Sequence, residues 1–181
     1  MIYVFLANGF EEIEALAPVD FLKRAGIETI LVGVDSDVVC GAHGIKVCTD
    51  ILSDSVDLTS DLQGIILPGG MPGAENLFNS KKVQEVIDYC HDNKKIISAI
   101  CAAPFILGRK GLLKGKNATC FPGFESELEG ANVSDSGVVI DGTIVTAKGA
   151  GVAWEFGAAI CSLITGEEKA LEILRGIQWK K

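Results

Sequence analysis

A chain of 181 residues, 48% of them hydrophobic, has enough material for one soluble globular domain over residues 1–181. Its net charge of −8 is spread along the whole length and repels phosphate backbones and anionic bilayers, which argues against nucleic-acid and membrane partners. No stretch is long and apolar enough to span a bilayer, and the N-terminus lacks a basic leader. The six cysteines include no C-x-x-C pair and there are only two histidines. That pattern predicts free thiols in a reducing, cytoplasmic compartment, with neither metal site nor cofactor.

Ile2 to Ala7 reads as a strand, Glu11 to Ala25 as a helix stopped by Gly26, and Glu28 to Val34 as a second strand, a βαβ opening. Val38 to Val47 predicts a strand pair turning around Gly41 and Gly44. A polar connection follows, then a buried strand from Gly64 to Leu67 that ends in Pro68-Gly69-Gly70. Helices over Ala74 to Phe78 and Lys81 to Asn93 lead into a strand from Lys95 to Ile100. Beyond it come an expected strand at Ala118 to Phe121, a hairpin over Val138 to Thr146 with a type I′ turn at Asp141-Gly142, and helices from Gly151 to Ile164 and from Glu167 onward. Alternation of this kind predicts an α/β sandwich with a mostly parallel sheet, which takes ligands outside the carboxyl ends of its strands.

The residues at those ends are chemically coherent. The β-branched run before Cys101 stops at a cysteine flanked two residues away on each side by Ala99 and Ala103, which is how a nucleophile elbow reads, because strand and helix pack closest at such a turn. A helix starting there would aim its first N–H groups at the sulfur and favour thiolate. Glu14 lies one turn into the first helix, and Pro18 four residues on predicts a local bend that tilts Glu14 toward the strand ends. A carboxyl group beside a thiolate is held protonated and donates a hydrogen bond to sulfur, the two titrating as a pair. Glu11 and Glu12 read as ordinary first-turn acids. Gly70 could turn its N–H toward an oxyanion, joined by the N–H of Ala102, with Gly69, Phe121, Gly149 and Ala150 as pocket walls. Of the histidines, His91 falls at the end of a polar helix, and His43 reads as a loop residue that could also reach the pocket or a subunit interface.

Six segments, Gly9-Phe-Glu-Glu-Ile-Glu14, Pro18-Val-Asp20, Arg24-Ala-Gly26, Leu67-Pro-Gly-Gly70, Ala99-Ile-Cys-Ala-Ala-Pro104 and Gly149-Ala-Gly-Val-Ala-Trp-Glu-Phe156, together resemble the ThiJ/PfpI superfamily in its DJ-one-like branch, over nearly the whole chain. The resemblance implies a flavodoxin-like three-layer sandwich and a homodimer. It also implies Cys101 as an oxidation-prone nucleophile, Glu14 as its protonated partner, and Gly70 and Ala102 as backbone donors beside the sulfur. Two departures qualify it. Ala102 stands where the protease-like branch carries histidine, which argues against proteolysis. Phe121 stands where some enzymes of the family place a histidine before the proline, which predicts slow proton shuttling.

Two functions of different class fit these residues. One is a glyoxalase- or deglycase-type enzyme acting on small carbonyl substrates such as methylglyoxal and glyoxal, or their adducts, to give a hydroxy acid. The other is a stress-protective redox sensor in which Cys101 becomes a sulfinate. A chaperone-like role has no patch in the sequence to support it, and nothing resembles the thiazole or phosphate site that a thiamine-related name would require.

Overall fold

The unbroken apolar run at the N-terminus has a simple cause. In β1 (Ile2–Leu6), Ile2, Val4 and Leu6 enter one core while Tyr3, Phe5 and the following Ala7 enter another, so a strand covered on both faces keeps no side for polar residues. The computed structural model describes residues 1–180 and continues with α1 (Glu12–Arg24), β2 (Thr29–Gly33), β3 (Val38–Cys40), β4 (Lys46–Cys48), β5 (Ile51–Leu52), β6 (Gly64–Leu67), α2 (Gly73–Asn79) and α3 (Lys81–Asp92). After these come β7 (Ile96–Ile100), α4 (Pro104–Arg109), β8 (Asn117–Ala118), β9 (Asn132–Val133), β10 (Val138–Asp141), β11 (Ile144–Ala147), α5 (Ala153–Thr165) and α6 (Glu167–Gly176).

Seven strands form one sheet in the order β10-β11-β7-β6-β1-β2-β5, parallel throughout except for the β10–β11 hairpin at one edge. Helices α1, α5 and α6 cover one face, and α2, α3 and α4 the other, the expected α/β/α sandwich. Phe21 and Phe156 are fully buried under α1 and α5, each stabilising the fold by roughly 1.5–3 kcal/mol. The two helices approach so closely that a Cβ at Gly157 would lie 3.0 Å from the Pro18 Cα.

Four sequence expectations need correction. The strand expected over Ala118 to Phe121 is only Asn117–Ala118 and pairs with β9 in a separate two-stranded sheet; the residues after it leave the ladder because Phe121 N–H donates to the Cys101 carbonyl at 2.8 Å. In the last hairpin Asp141 pairs with Ile144, so Gly142 and Thr143 form the loop. Only Gly142, at φ +63°, is left-handed there, the pattern of a type II′ turn with glycine first rather than type I′. The connection before β6 contains β5 and a 3₁₀ turn at Ser53–Ser55, which extend the sheet edge. The helix expected from Gly151 begins as a 3₁₀ turn at Ala150–Val152 and becomes α-helical at Ala153.

Candidate active site

Strands β11, β7, β6 and β1 are consecutive neighbours, so the residues following each of them converge at the carboxyl end of the sheet. Cys101 follows β7 at φ +64°. A non-glycine residue in the left-handed region is strained, and at the turn from strand to helix this is the backbone signature of a nucleophile elbow. Its own amide donates to the Ala147 carbonyl at 2.8 Å, and its carbonyl accepts from Phe121, so the residue is tied to β11 on one side and to the Phe121 loop on the other. Ala99 and Ala103 are fully buried at its flanks.

Glu14 is 1% exposed and reaches from α1 beneath Gly69, whose N–H donates to its Oε2 at 3.0 Å. The Glu14 carboxyl lies beside the Cys101 side chain, and each perturbs the other's titration. The Ala150 N–H also faces the Glu14 carboxyl, and the Gly70 and Ala102 N–H groups face the Cys101 sulfur. Gly69 is therefore a ligand of the acid rather than only a wall. A Cβ on it would come within 2.6 Å of both the Cys101 Cβ and Glu14 Oε2, a space only glycine leaves. A Cβ on Gly149 would lie 3.7 Å from Glu14 Oε1, 3.9 Å from Cys101 Sγ and 3.5 Å from the Phe121 ring, which makes that glycine a wall common to all three. Phe121 is 48% exposed and forms the outer lip.

The electrostatics differ from expectation in one respect. Only one amide of the α4 entry, that of Ala102, serves the sulfur, because Ala103 N–H is bonded to Ile100 and Pro104 has none. Burial, and then the charge of Glu14, push the Cys101 thiol up to about 12. Burial raises Glu14 to about 7, the nearby Glu11 carboxylate adding to it. Each group thus opposes the second charge, and the pair ionises in two steps with a single negative charge between them near neutrality.

His43 does not reach this pair. Its ring lies 68% exposed on the far side of the first turn of α1, with Nδ1 2.7 Å from Glu12 Oε2. Glu12, expected to be an ordinary first-turn acid, is 2% exposed and clasps the β3–β4 hairpin by accepting from the backbone N–H groups of His43 at 2.8 Å and Ile45 at 3.4 Å. Glu11 caps α1 by accepting the Glu14 amide at 2.7 Å. Three acids within four residues at a helix start was the available signal, and a helix dipole alone does not ask for so many. Glu12 holds His43 protonated to higher pH than a free imidazole. That interaction stabilises the fold below the ordinary histidine value and is lost as pH rises through the raised one. In Glu12→Gln the His43 imidazole resonances should titrate near the ordinary value of about 6.5. Loss of the charge-assisted bonds should lower stability by about 1–2 kcal/mol in urea denaturation.

Gly69, Gly70, Ala102, Phe121, Gly149 and Ala150 lie around the Cys101–Glu14 pair. The family model described as the DJ-1/PfpI family matches residues 1–163. The chain is 40% identical over 172 residues to Protein DJ-1 homolog B of Arabidopsis thaliana, covering 93% of this chain and 39% of that protein, so it spans well under half of the plant relative. It is 34% identical over 181 residues to Protein dj-1beta of Drosophila melanogaster, covering 96% of this chain and 94% of that one. The oxidized DJ-1 structure of Toxoplasma gondii superposes with a TM-score of 0.94 at 31% identity, covering 99% and 98% of the two chains. With a mostly parallel flavodoxin-like sheet, a left-handed cysteine after its fifth parallel strand in sequence and a family model matched over residues 1–163, the chain belongs to the DJ-1/PfpI family.

Proposed function

We propose that this protein is a cysteine-dependent enzyme of the glyoxalase or deglycase kind, acting on 2-oxoaldehydes or their adducts. The observation that carries the reading is the Cys101–Glu14 pair, one group on a left-handed elbow and the other buried, each with its own two backbone donors. The single charge of that pair belongs on sulfur. Cys101 is partly exposed and Glu14 is not, so charge costs less desolvation on the sulfur. A carboxylic O–H is also a far stronger donor to thiolate than S–H is to carboxylate.

The thiolate adds to the aldehyde carbon of methylglyoxal to give a hemithioacetal, and Glu14 supplies the proton to the new alkoxide. Removal of the C1 proton and return of a proton to C2 converts this adduct into a lactoyl thioester, C1 being oxidised as C2 is reduced, with no outside redox partner. Water then releases lactate and regenerates the thiol. With Phe121 at the lip in place of a histidine, Glu14 alone shuttles protons, and positioned acid-base groups contribute roughly 10²–10⁴-fold, so turnover is slow. The test is the pH dependence of Cys101 alkylation beside lactate release. Thiolate reactivity is expected to develop below the free-cysteine value of about 8.5 and to shift upward in Glu14→Gln. Faster alkylation of the variant at pH 8 would place the charge on the carboxylate and overturn the assignment.

The same pair supports oxidation of Cys101 to a sulfinate as a second reading, since Cys90, Cys120 and Cys161 are buried and one related structure carries the description oxidized. Mild peroxide should add two oxygens to Cys101 ahead of the other five thiols by mass spectrometry, and indiscriminate oxidation would count against it. A homodimer also belongs to the proposal. Ile13 and Ile45, 52% and 55% exposed, flank the Glu12 clasp and offer an apolar patch, and sedimentation as a monomer would refute it.

A further inference from the structure

Among the described residues, the charge that acts on the Cys101–Glu14 pair from outside it is the Glu11 carboxylate, which adds to the rise of Glu14. Glu14 Oε1 and the Cys101 sulfur both lie within 4 Å of a Cβ placed on Gly149. Glu11 is held against the same turn, its side chain on the Glu14 amide at 2.7 Å and its own amide on the Gly69 carbonyl at 2.9 Å, one residue before the Gly70 donor. Glu12 lies buried behind them. The one group able to carry a positive charge beside these acids is His43, and its ring is already engaged, 2.7 Å from Glu12 and 4.0 Å from Glu11. Among the described residues no lysine or arginine pairs with Glu11, Glu12 or Glu14. Lys148 precedes the Gly149 wall in sequence, but its ammonium pairs with Asp135 beside a separate hollow lined by Cys120 and Pro122.

We propose that this acidic collar makes the Cys101 site a charge filter, admitting uncharged or cationic electrophiles and excluding those that carry a carboxylate or phosphate next to the reacting carbon. As a statement of substrate class it rests on the catalytic reading above. The substrates are then neutral oxoaldehydes, or aldehydes already condensed with an amine, and not 2-oxo acids or phosphorylated trioses. Like charges held within several ångströms of each other in a partly buried cleft repel by enough to slow approach about tenfold.

Alkylation tests the filter without any turnover. Iodoacetamide and iodoacetate react alike, a carbon–sulfur bond forming as the carbon–iodine bond breaks and iodide leaves, and they differ in charge. Both draw on the same thiolate, so the ratio of their rates is independent of its amount. Normalised to free cysteine at the same pH and low salt, the ratio at Cys101 should favour iodoacetamide by about tenfold. It should fall toward the free-cysteine ratio in roughly 0.5 M NaCl and in Glu11→Gln, whose side-chain carbonyl can still accept the Glu14 amide. A ratio equal to that of free cysteine at low salt would overturn the filter whatever the variant does. If iodoacetamide is preferred yet no aldehyde is consumed, the catalytic reading fails and the filter stands. If methylglyoxal is consumed and the alkylation ratio responds neither to salt nor to Glu11→Gln, the filter fails and catalysis stands.

Discussion

Replacing Cys101 with alanine should lower methylglyoxal consumption by at least about 10³-fold, to the level of buffer and surface amines. Among the described residues the other cysteines lie elsewhere, Cys90, Cys120 and Cys161 buried and Cys40 and Cys48 on the β3–β4 hairpin, so without Cys101 Glu14 has no adduct to protonate. Lactate release measured by an enzymatic assay, with folding checked by circular dichroism, decides it. Full retention of activity would place the chemistry elsewhere. The substitution also probes the backbone. Cys101 sits at φ +64°, where a side chain costs about 1 kcal/mol or more that glycine avoids. Cys101→Gly is therefore expected to be more stable than Cys101→Ala by about 1 kcal/mol, an inversion of the usual effect of glycine that only a left-handed site produces.

The second large effect is a dependence of stability on pH through Glu14. Its folded value, raised by burial to about 7, exceeds the unfolded one of about 4.3. Between these values the unfolded chain releases a proton that the folded pair keeps, so stability declines as pH rises through this window and then levels off. Whichever atom of the pair carries the charge, the sign is the same, because folding retains the proton. The decline is about 3–4 kcal/mol, each unit being worth about 1.4 kcal/mol. Glu14→Gln removes it. An amide accepts the Gly69 N–H as the carboxyl does and has no proton to lose, so the variant should match wild type near pH 4.5 and exceed it by up to about 3–4 kcal/mol at pH 7 to 8. Urea denaturation of both proteins across this range is the measurement, and parallel curves would show that Glu14 is not buried as a titrating acid. Activity should move the other way, so that the residue most costly to the fold at neutral pH is one the chemistry needs.

The layered fold was legible because strand burial on both faces writes itself as unbroken apolar runs, and the glycines and prolines that end those runs mark where the sheet stops. Cys101 and Glu14 were legible for a different reason. Small residues on both sides of one cysteine, and an acid one turn into a helix ahead of Pro18, are local patterns with few other uses. What the sequence concealed was partnership at long range. Glu12 and His43 are 31 residues apart, and nothing local says that a buried carboxylate will collect a hairpin's amides. The capture of Phe121 by the Cys101 carbonyl, which cuts β8 short, is likewise a tertiary bond that overrides a run with strand-like composition. The helix's share in activating the thiol was overstated, because its entry delivers one amide where a full first turn suggested several.

The double tether of Cys101, through its amide to Ala147 and its carbonyl to Phe121, has a consequence for motion. Functional segments are commonly drawn from the least persistent parts of a protein, but here the nucleophile's backbone is stitched into the carboxyl end of the sheet. The amide hydrogens of Cys101 and Phe121 should then exchange with solvent deuterium only on the timescale of global opening, and the sulfur keeps a single soft coordinate, rotation about its own Cα–Cβ bond.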